Sequence, residues 1–451
     1  MIWGVSNQTI QELEDKLFSE ILIEQRQIRA LKAADQDKIE QSDQLAKSLT
    51  SLRGTDFTLP SLFSGKGHGP FVELIDGSVK FDLIGGIGPY ILGHSHPLQI
   101  RSFLSAAKGN ILNSTNFLPS HLSVTLSQQL INSTGNSSLD NCWFCGSGSM
   151  ANDSAMRLLW SKRAPRKRVL AFENSFAGRS LVMQSITQGD SDTKDLQIDY
   201  ITFPKDEASL KRSLAETKEL LTKHPDDYLT FYGELVQGEA GINLPFKDSL
   251  SVIFKEVKSA DIPIWVDEVQ TFARTTKLFA FQTFGVGEHV DVCTIGKAFN
   301  LSAVLYNSKF SLPSGLGGTF QGNISSLIFA IDLLKLFESG QFFHEQGRAI
   351  TLGEELREMF KQIVASTKAM NLECSAHGIG LMWAFKVSGT NNCLIDDFMK
   401  SLYQNGIIVW NAGRKERCIR MLFPYTISSD HQESIKGIFI NTLSQLKASE
   451  K

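Results

Sequence analysis

Asn141-Cys-Trp-Phe-Cys-Gly-Ser-Gly-Ser-Met-Ala-Asn-Asp-Ser-Ala-Met-Arg-Leu-Leu-Trp160 holds a short apolar run, a Gly/Ser turn and a helical pattern in direct succession. The run Asn141–Cys145 suits a strand, and Ala151, Ala155, Leu158 and Leu159 fall on one face of a helix. The same alternation continues through Arg168–Phe172, Tyr200–Phe203, Tyr228–Val236, Pro263–Asp267, Val292–Ile295 and Ser302–Tyr306, with helical stretches between. These runs are nearly all apolar rather than alternating, as in strands buried on both faces. They predict an α/β domain around a mainly parallel sheet, spanning about residues 106–340. After a helix near 323–340 the pattern changes to strands at Gly380–Val387, Ile407–Val409 and Ile419–Leu422. A last helix opens with the capping-box spacing Ser429-x-x-Gln432. Residues 341–451 therefore read as a separate α+β domain.

Upstream, Ile10, Leu13, Leu17, Ile21, Ile28 and Leu31 recur at helical steps and predict a helical extension over residues 1–63, docked on the body or on a partner subunit. Ser64-Gly-Lys-Gly-His-Gly-Pro70 reads as a loop, and Val72–Asp82 as a hairpin turning at Asp76-Gly77. Hydrophobic residues make up 42 % of the 451 and charged ones 21 %, which excludes a disordered or fibrous chain. A net charge of −3 provides no global field for nucleic acid or an anionic membrane, so neither is expected as a partner. No apolar segment approaches a membrane span, and Met1-Ile-Trp-Gly-Val-Ser-Asn7 shows no signal-peptide pattern. Six cysteines are too few for a disulfide framework. A cytoplasmic protein is expected.

Four features could carry chemistry. Gly146-Ser-Gly-Ser149 opens a helix, where free backbone N–H groups, hydroxyls and the helix dipole can hold phosphate; a plain Gly/Ser turn is the alternative. Pro263-Ile-Trp-Val-Asp-Glu-Val-Gln270 ends an apolar strand in two carboxylates, at the edge where open α/β sheets bind ligands. Lys297, in Thr294-Ile-Gly-Lys-Ala-Phe299, follows another strand and is either a solvated surface residue or a nucleophile for a carbonyl. Arg420, inside Cys418-Ile-Arg-Met-Leu-Phe-Pro424, is either a structural ion-pair member or a clamp for a substrate carboxylate. Cys142-Trp-Phe-Cys145 has redox-dithiol spacing, but alternate residues of a buried strand face opposite ways, so core cysteines are expected. His94-Ser-His96 lacks a completing acidic or cysteine ligand, so a loop role is expected and no metal.

A phosphate cradle, an amine, a carboxylate for a pyridinium nitrogen and a carboxylate-binding arginine together suit pyridoxal 5′-phosphate acting on amino acids. From about residue 64 to 447 the sequence resembles the class III aminotransferases of fold type I, the group holding acetylornithine, ornithine, 4-aminobutyrate and lysine aminotransferases. The resemblance implies a large cofactor-binding domain and a smaller domain formed by both chain ends, with residues 64–105 as its N-terminal segment. Gly86-Ile-Gly-Pro-Tyr-Ile-Leu-Gly-His-Ser-His-Pro97 matches the loop in which Ile87 would face the substrate. Phe144–Asp153 is similar to the phosphate loop, assigning Ser147, Gly148 and Ser149 to the phosphate. Asn174-Ser-Phe-Ala-Gly-Arg-Ser180 implies Phe176 stacked on the cofactor ring and Arg179 on a substrate carboxylate. Glu234-Leu-Val-Gln-Gly-Glu-Ala-Gly241 implies Glu239 as the partner of Arg420. Asp267 would meet the pyridine nitrogen, Gln270 the ring-hydroxyl side, and Lys297 would carry the cofactor. Thr319, in Gly317-Gly-Thr-Phe-Gln-Gly-Asn323, would reach the phosphate of a neighbouring subunit, which implies a homodimer or a dimer of dimers.

Family members usually carry Glu where Met150 stands and His where Ala177 stands, and a Gly-rich stretch where Ala298-Phe-Asn-Leu-Ser-Ala-Val304 follows the lysine. The function expected is transfer of an amino group remote from a carboxylate to an oxoacid such as 2-oxoglutarate, in ping-pong fashion. The alternatives are another pyridoxal chemistry on this fold (aminomutase, racemase or decarboxylase) and a silent binding protein that keeps the fold.

Overall fold

The computed structural model describes residues 8–59, 62–109, 112–114, 118–188, 196–370, 372–388, 392–414 and 416–449. Residues 1–7, which bear the signal-peptide reading, lie outside these. The chain divides into two compact units, one of residues Met1–Leu104 with Thr351–Lys451 and one of Ser105–Ile350.

In the first unit the N-terminal stripe is not one helix. Helices Gln8–Gln25 and Gln36–Arg53 are separated by a segment in which Ile28 is buried and Lys32 exchanges backbone hydrogen bonds with Val79 at 3.2 and 3.0 Å. That extended bridge is incompatible with continued helix. The face of the first helix that packs is Ile10, Glu14, Phe18 and Ile21, with Arg101 lying 3.8 Å over the Phe18 ring. Leu13 and Leu17 instead stand 61 % and 51 % exposed, so the apolar stripe read from sequence is only half used.

The Gly-rich stretch is a strand, not a loop. β1 (Phe63–His68) pairs antiparallel with β2 (Phe71–Leu74), which pairs with β3 (Val79–Asp82) across the expected Asp76-Gly77 turn. Glycine is needed there for proximity: a Cβ on Gly67 would stand 2.9 Å from both His94 Cβ and the Phe71 carbonyl oxygen.

The second unit is built on a seven-stranded sheet. Its strands are β4 (Asn141–Cys145), β5 (Arg168–Phe172), β6 (Gln197–Ile201), β7 (Tyr228–Glu234), β8 (Ile264–Glu268), β9 (Val292–Ile295) and β10 (Ser302–Tyr306). They lie in the order β4-β10-β9-β8-β7-β5-β6. All neighbouring pairs are parallel except the two made by β10, which runs against both β4 and β9. The carboxyl ends of β4, β7, β8 and β9 therefore share one edge. On one face the helix Gly148–Arg163 packs Ala151, Ala155, Leu158 and Leu159 into a core with Val169, Ala171, Tyr232, Trp265 and Val292.

In the first unit's C-terminal half, β11 (Glu373–Ile379), β12 (Met382–Ser388), β14 (Trp410–Ala412) and β15 (Cys418–Leu422) form a sheet, while β13 (Ile407–Ile408) joins β3 in parallel. The last helix, Ser429–Ser449, is capped one residue earlier than its spacing suggests. Ser428 Oγ accepts the His431 N–H at 3.3 Å and the Ser428 N–H reaches His431 Nδ1 at 3.2 Å, while Gln432 is used elsewhere, donating to Glu355 at 2.8 Å.

Candidate active site

Period-two alternation decides what the carboxylate pair of β8 can do. In register, Tyr232 faces Trp265 and Glu234 faces Asp267, so Tyr232, Glu234 and Asp267 share the sheet face packed by the helix Gly148–Arg163. Glu268 points the other way. There it accepts the N–H groups of Ala280 (2.7 Å) and Phe281 (2.9 Å) and caps a short helix, while burial lifts its carboxyl to about 7. The sequence's two carboxylates thus have separate tasks.

Asp267 is 6 % exposed. Its Oδ1 accepts the Val269 N–H at 2.8 Å, and its Oδ2 accepts Asn152 Nδ2 at 2.6 Å and the Tyr232 hydroxyl at 2.8 Å. Burial pushes its pKa up; the three donors and the Lys297 ammonium pull it back. Lys297 sits two residues past β9, half-buried, in left-handed backbone at φ 51°. That is an uncommon conformation for a lysine, of the kind that clusters at functional sites. Gly296 before it has no room for a side chain, since a Cβ would come 2.7 Å from Ser302 Oγ.

At the end of β4, Ser147 caps the helix, its hydroxyl accepting the Met150 N–H at 3.3 Å. The first helical N–H groups, at Gly148 and Ser149, have no intrahelical acceptor and mark the positive end of the dipole. A Cβ on Gly148 would strike Val269 at 2.7 Å, so this loop lies directly against the residue after the carboxylate pair. Ser149 Oγ accepts the Arg179 N–H at 3.3 Å, and Gly178 passes so near that a Cβ would lie 2.7 Å from it. Phe176 is held through its backbone: its N–H donates to Glu234 Oε2 at 2.8 Å, and its carbonyl lies 2.9 Å from the Tyr232 hydroxyl. Glu234 is driven up to about 8 by burial and by the Asp267 charge, against the pull of its two N–H partners. Gly238 lies on Gln270, where a Cβ would stand 1.8 Å from Oε1.

The second unit thus gathers Ser147, Gly148, Ser149, Phe176, Arg179, Asp267, Gln270 and Lys297 along the carboxyl edge of its sheet. Glu239 is half-buried on the loop after β7, and Thr319 stands exposed. In the first unit, Arg420 is fully buried on β15 between Ala384 and Trp410 of the adjoining strands. Ile87 is 39 % exposed at φ 67°, a strained setting for a β-branched side chain. Asp82 builds that loop, its carboxylate accepting the N–H groups of Ile84 (3.1 Å), Gly85 (2.8 Å) and Gly86 (3.0 Å) and meeting His94 at 2.9 Å. His96 Nδ1 accepts the Leu98 N–H at 3.2 Å, and no group of metal-ligating side chains occurs among the described residues. Cys142 and Cys145 are free, burial raising them to about 12 and 11. Sequence reasoning missed Asn152, Tyr232 and Glu234, which back the carboxylate edge of the sheet, and Asp82, which shapes the Ile87 loop.

This edge fits pyridoxal phosphate on its own geometry: a capped helix N-terminus closed to side chains for an anion, a buried carboxylate for a ring cation, and an amine near enough to that carboxylate to favour its charged form. When bound, the cofactor supplies the electron sink for amino-acid carbanions. A family model for aminotransferase class III matches residues 54–443. The acetylornithine aminotransferase of Methanothermobacter thermautotrophicus is 25 % identical over 399 residues, covering 86 % of this chain and 96 % of that protein. The Bacillus subtilis acetylornithine aminotransferase is 27 % identical over 376 residues, covering 81 % and 90 %. Among solved structures, the lysine aminotransferase of M. tuberculosis superposes with a TM-score of 0.77 at 20 % identity, covering 89 % of this chain and 99 % of that one. The ornithine aminotransferase of Toxoplasma gondii gives 0.74 at 22 %, covering 90 % and 95 %. No helix among the described residues is long and apolar enough to cross a membrane. The chain belongs to the class III aminotransferase family and is a pyridoxal-phosphate-dependent aminotransferase.

Proposed function

We propose that this aminotransferase is a cytoplasmic enzyme that takes its amino group from an amine remote from a carboxylate and passes it to 2-oxoglutarate or a similar oxoacid. The observation that carries the reading is the shared edge of Ser147, Asp267 and Lys297, at the carboxyl ends of β4, β8 and β9. Ser147, Gly148 and Ser149 hold the cofactor's phosphate, Phe176 covers the ring, Asp267 meets the ring nitrogen and Gln270 the ring-hydroxyl side. Lys297 Nζ would hold the cofactor and would then be the group that takes and returns the substrate carbon's proton. Arg179 and Arg420 orient carboxylates, Glu239 balances Arg420 when the donor presents none there, and Ile87 shapes the substrate's approach. Thr319 completes the phosphate cradle of a second copy, so the active form is a homodimer or a dimer of dimers. The donor class is supported by the names of the relatives, since ornithine and lysine each bear a terminal amine.

The test is a donor screen with ornithine, acetylornithine, lysine and 4-aminobutyrate, following the cofactor's absorbance and then its recovery on adding 2-oxoglutarate. Borohydride reduction and peptide mass spectrometry should place the phosphopyridoxyl group on Lys297. An adduct on another lysine overturns the role of Lys297, and absorbance changes never reversed by an oxoacid overturn amino transfer to one.

A further inference from the structure

The three donors on Asp267 divide unequally between its oxygens. Oδ1 accepts one hydrogen bond, from the Val269 N–H, while Oδ2 accepts two, from Asn152 and Tyr232. A carboxylate oxygen takes about two donors, so Oδ2 is saturated and Oδ1 keeps one lone pair open. Asn152 can present only hydrogens there: its Nδ2 also donates to the Ala177 carbonyl at 2.6 Å, and two acceptors on one side fix which end of the amide is the NH2. Tyr232 has one hydroxyl proton and two acceptors, Asp267 Oδ2 and the Phe176 carbonyl. An ionised carboxylate is the stronger acceptor and takes it. Position 177, an alanine buried to 1 % exposure, offers no side-chain donor to the carboxylate; the phenol arriving from β7 does. The Tyr232 ring is itself held edge-on to Trp265 at 4.7 Å, and burial keeps its hydroxyl protonated.

We propose that Asn152 and Tyr232 are positioning residues that saturate Oδ2 of Asp267 and leave the open lone pair of Oδ1 for the cofactor's ring N–H, with Tyr232 setting where the proton of that pair resides. This rests on the reading that Asp267 faces the ring nitrogen. Stabilising the carboxylate from behind weakens it as a base, so the shared proton stays on the ring, where it makes the ring a better electron sink. Without the phenol, Asp267 becomes the stronger base and draws the proton toward itself. To the extent that the proton moves onto Asp267, the pair also holds it more tightly, because only the proton-free state then carries the less stabilised carboxylate.

The test uses full-length protein loaded with pyridoxal phosphate labelled with 15N in the ring, read by 15N NMR without any turnover. In the wild type the ring resonance should sit at the protonated position. Tyr232→Phe, which keeps the ring against Trp265, should move it toward the unprotonated position at neutral pH. The pH at which the pair finally loses its proton should rise by up to about one unit, the tenfold ceiling set by one hydrogen bond to a charged group. Asn152→Ala should act in the same direction and decides the matter alone if the phenylalanine variant does not fold. Asp267→Asn is the reference, expected to abolish the protonated signal. If both variants keep the wild-type resonance and titration while Asp267→Asn does not, Tyr232 and Asn152 only fill space and the proposal is overturned. If Asp267→Asn also leaves the resonance unmoved, the placement of Asp267 at the ring nitrogen falls with it.

Discussion

Glu234 should make the protein less stable as pH rises, and Glu234→Gln should reverse the order of the two proteins across the neutral range. Burial lifts this carboxyl from an ordinary 4.5 to about 8. Between those limits the folded chain keeps a proton that the unfolded chain has lost, so the unfolded state binds fewer protons. Stability then falls with rising pH by about 1.4 kcal/mol per unit and levels off above about pH 8, a loss of roughly 5 kcal/mol in all. Glutamine cannot titrate, but it has one acceptor oxygen where the carboxyl has two. Oε2 serves the Phe176 N–H at 2.8 Å and Oε1 the Gly238 N–H at 3.2 Å, so the amide orphans one of them at a pH-independent cost of about 1–3 kcal/mol. The stability curves should cross between about pH 5 and 7, with the variant ahead by about 2–4 kcal/mol at pH 8. Melting temperatures of both proteins, at matched protein and cofactor concentrations from pH 5 to 8.5, measure this. His68, His96, His289 and His431, which burial holds below the usual imidazole range, titrate in both proteins and cancel in the difference. Parallel melting curves over the whole range would refute the argument, because Glu234 would then be ionised throughout.

Lys297→Ala should still bind pyridoxal phosphate in a fluorescence titration but lose turnover by at least about 10²–10⁴-fold, the share of proton transfer alone. Arg420→Ala should slow the glutamate/2-oxoglutarate half-reaction about tenfold or more beyond the amine half, and Glu239→Gln should show the opposite bias. Single-turnover rates for each half decide it, and equal slowing of both halves by both variants would make the two residues structural. Gly67→Ala should lower stability by about 1–3 kcal/mol, read as a drop in melting temperature, because its Cβ would overlap His94 and the Phe71 carbonyl.

The sequence yields strand boundaries where an apolar run is flanked by turn residues, as at Asn141–Cys145 and Ser302–Tyr306, both of which fold over those spans. It fails where polarity is paired in three dimensions. β6 begins at Gln197, three residues before the apolar run suggests, because Asp199 on this edge strand is met by Arg168 at 2.7 Å and by the Tyr228 hydroxyl at 2.9 Å. A polar residue with such partners is a good strand residue that looks like loop. The glycines of Ser64-Gly-Lys-Gly67 mislead in the same direction: the space that excludes a side chain at Gly67 is created by His94 and Phe71, neither adjacent in the chain.

The site divides along the same line. Candidate residues at a strand end, such as Asp267, Lys297 and the Ser147 loop, are marked locally by an apolar run that stops at a polar group. Tyr232 carries no such mark. One tyrosine in an apolar strand reads as core, and by packing it is core. Its hydroxyl matters only because β7 and β8 pair with Glu234 opposite Asp267, which sets the phenol one step back along the same face. A slip of one residue in that pairing would turn Tyr232 to the far face and bring Phe231 to the carboxylate, leaving Oδ2 with Asn152 alone. The carboxylate proposed to meet the ring nitrogen is therefore marked locally, whereas the donors that surround it are set by sheet register. Ala177 sharpens the point: a replacement that reads as loss of a polar residue in the sequence stands beside a donor supplied from another strand.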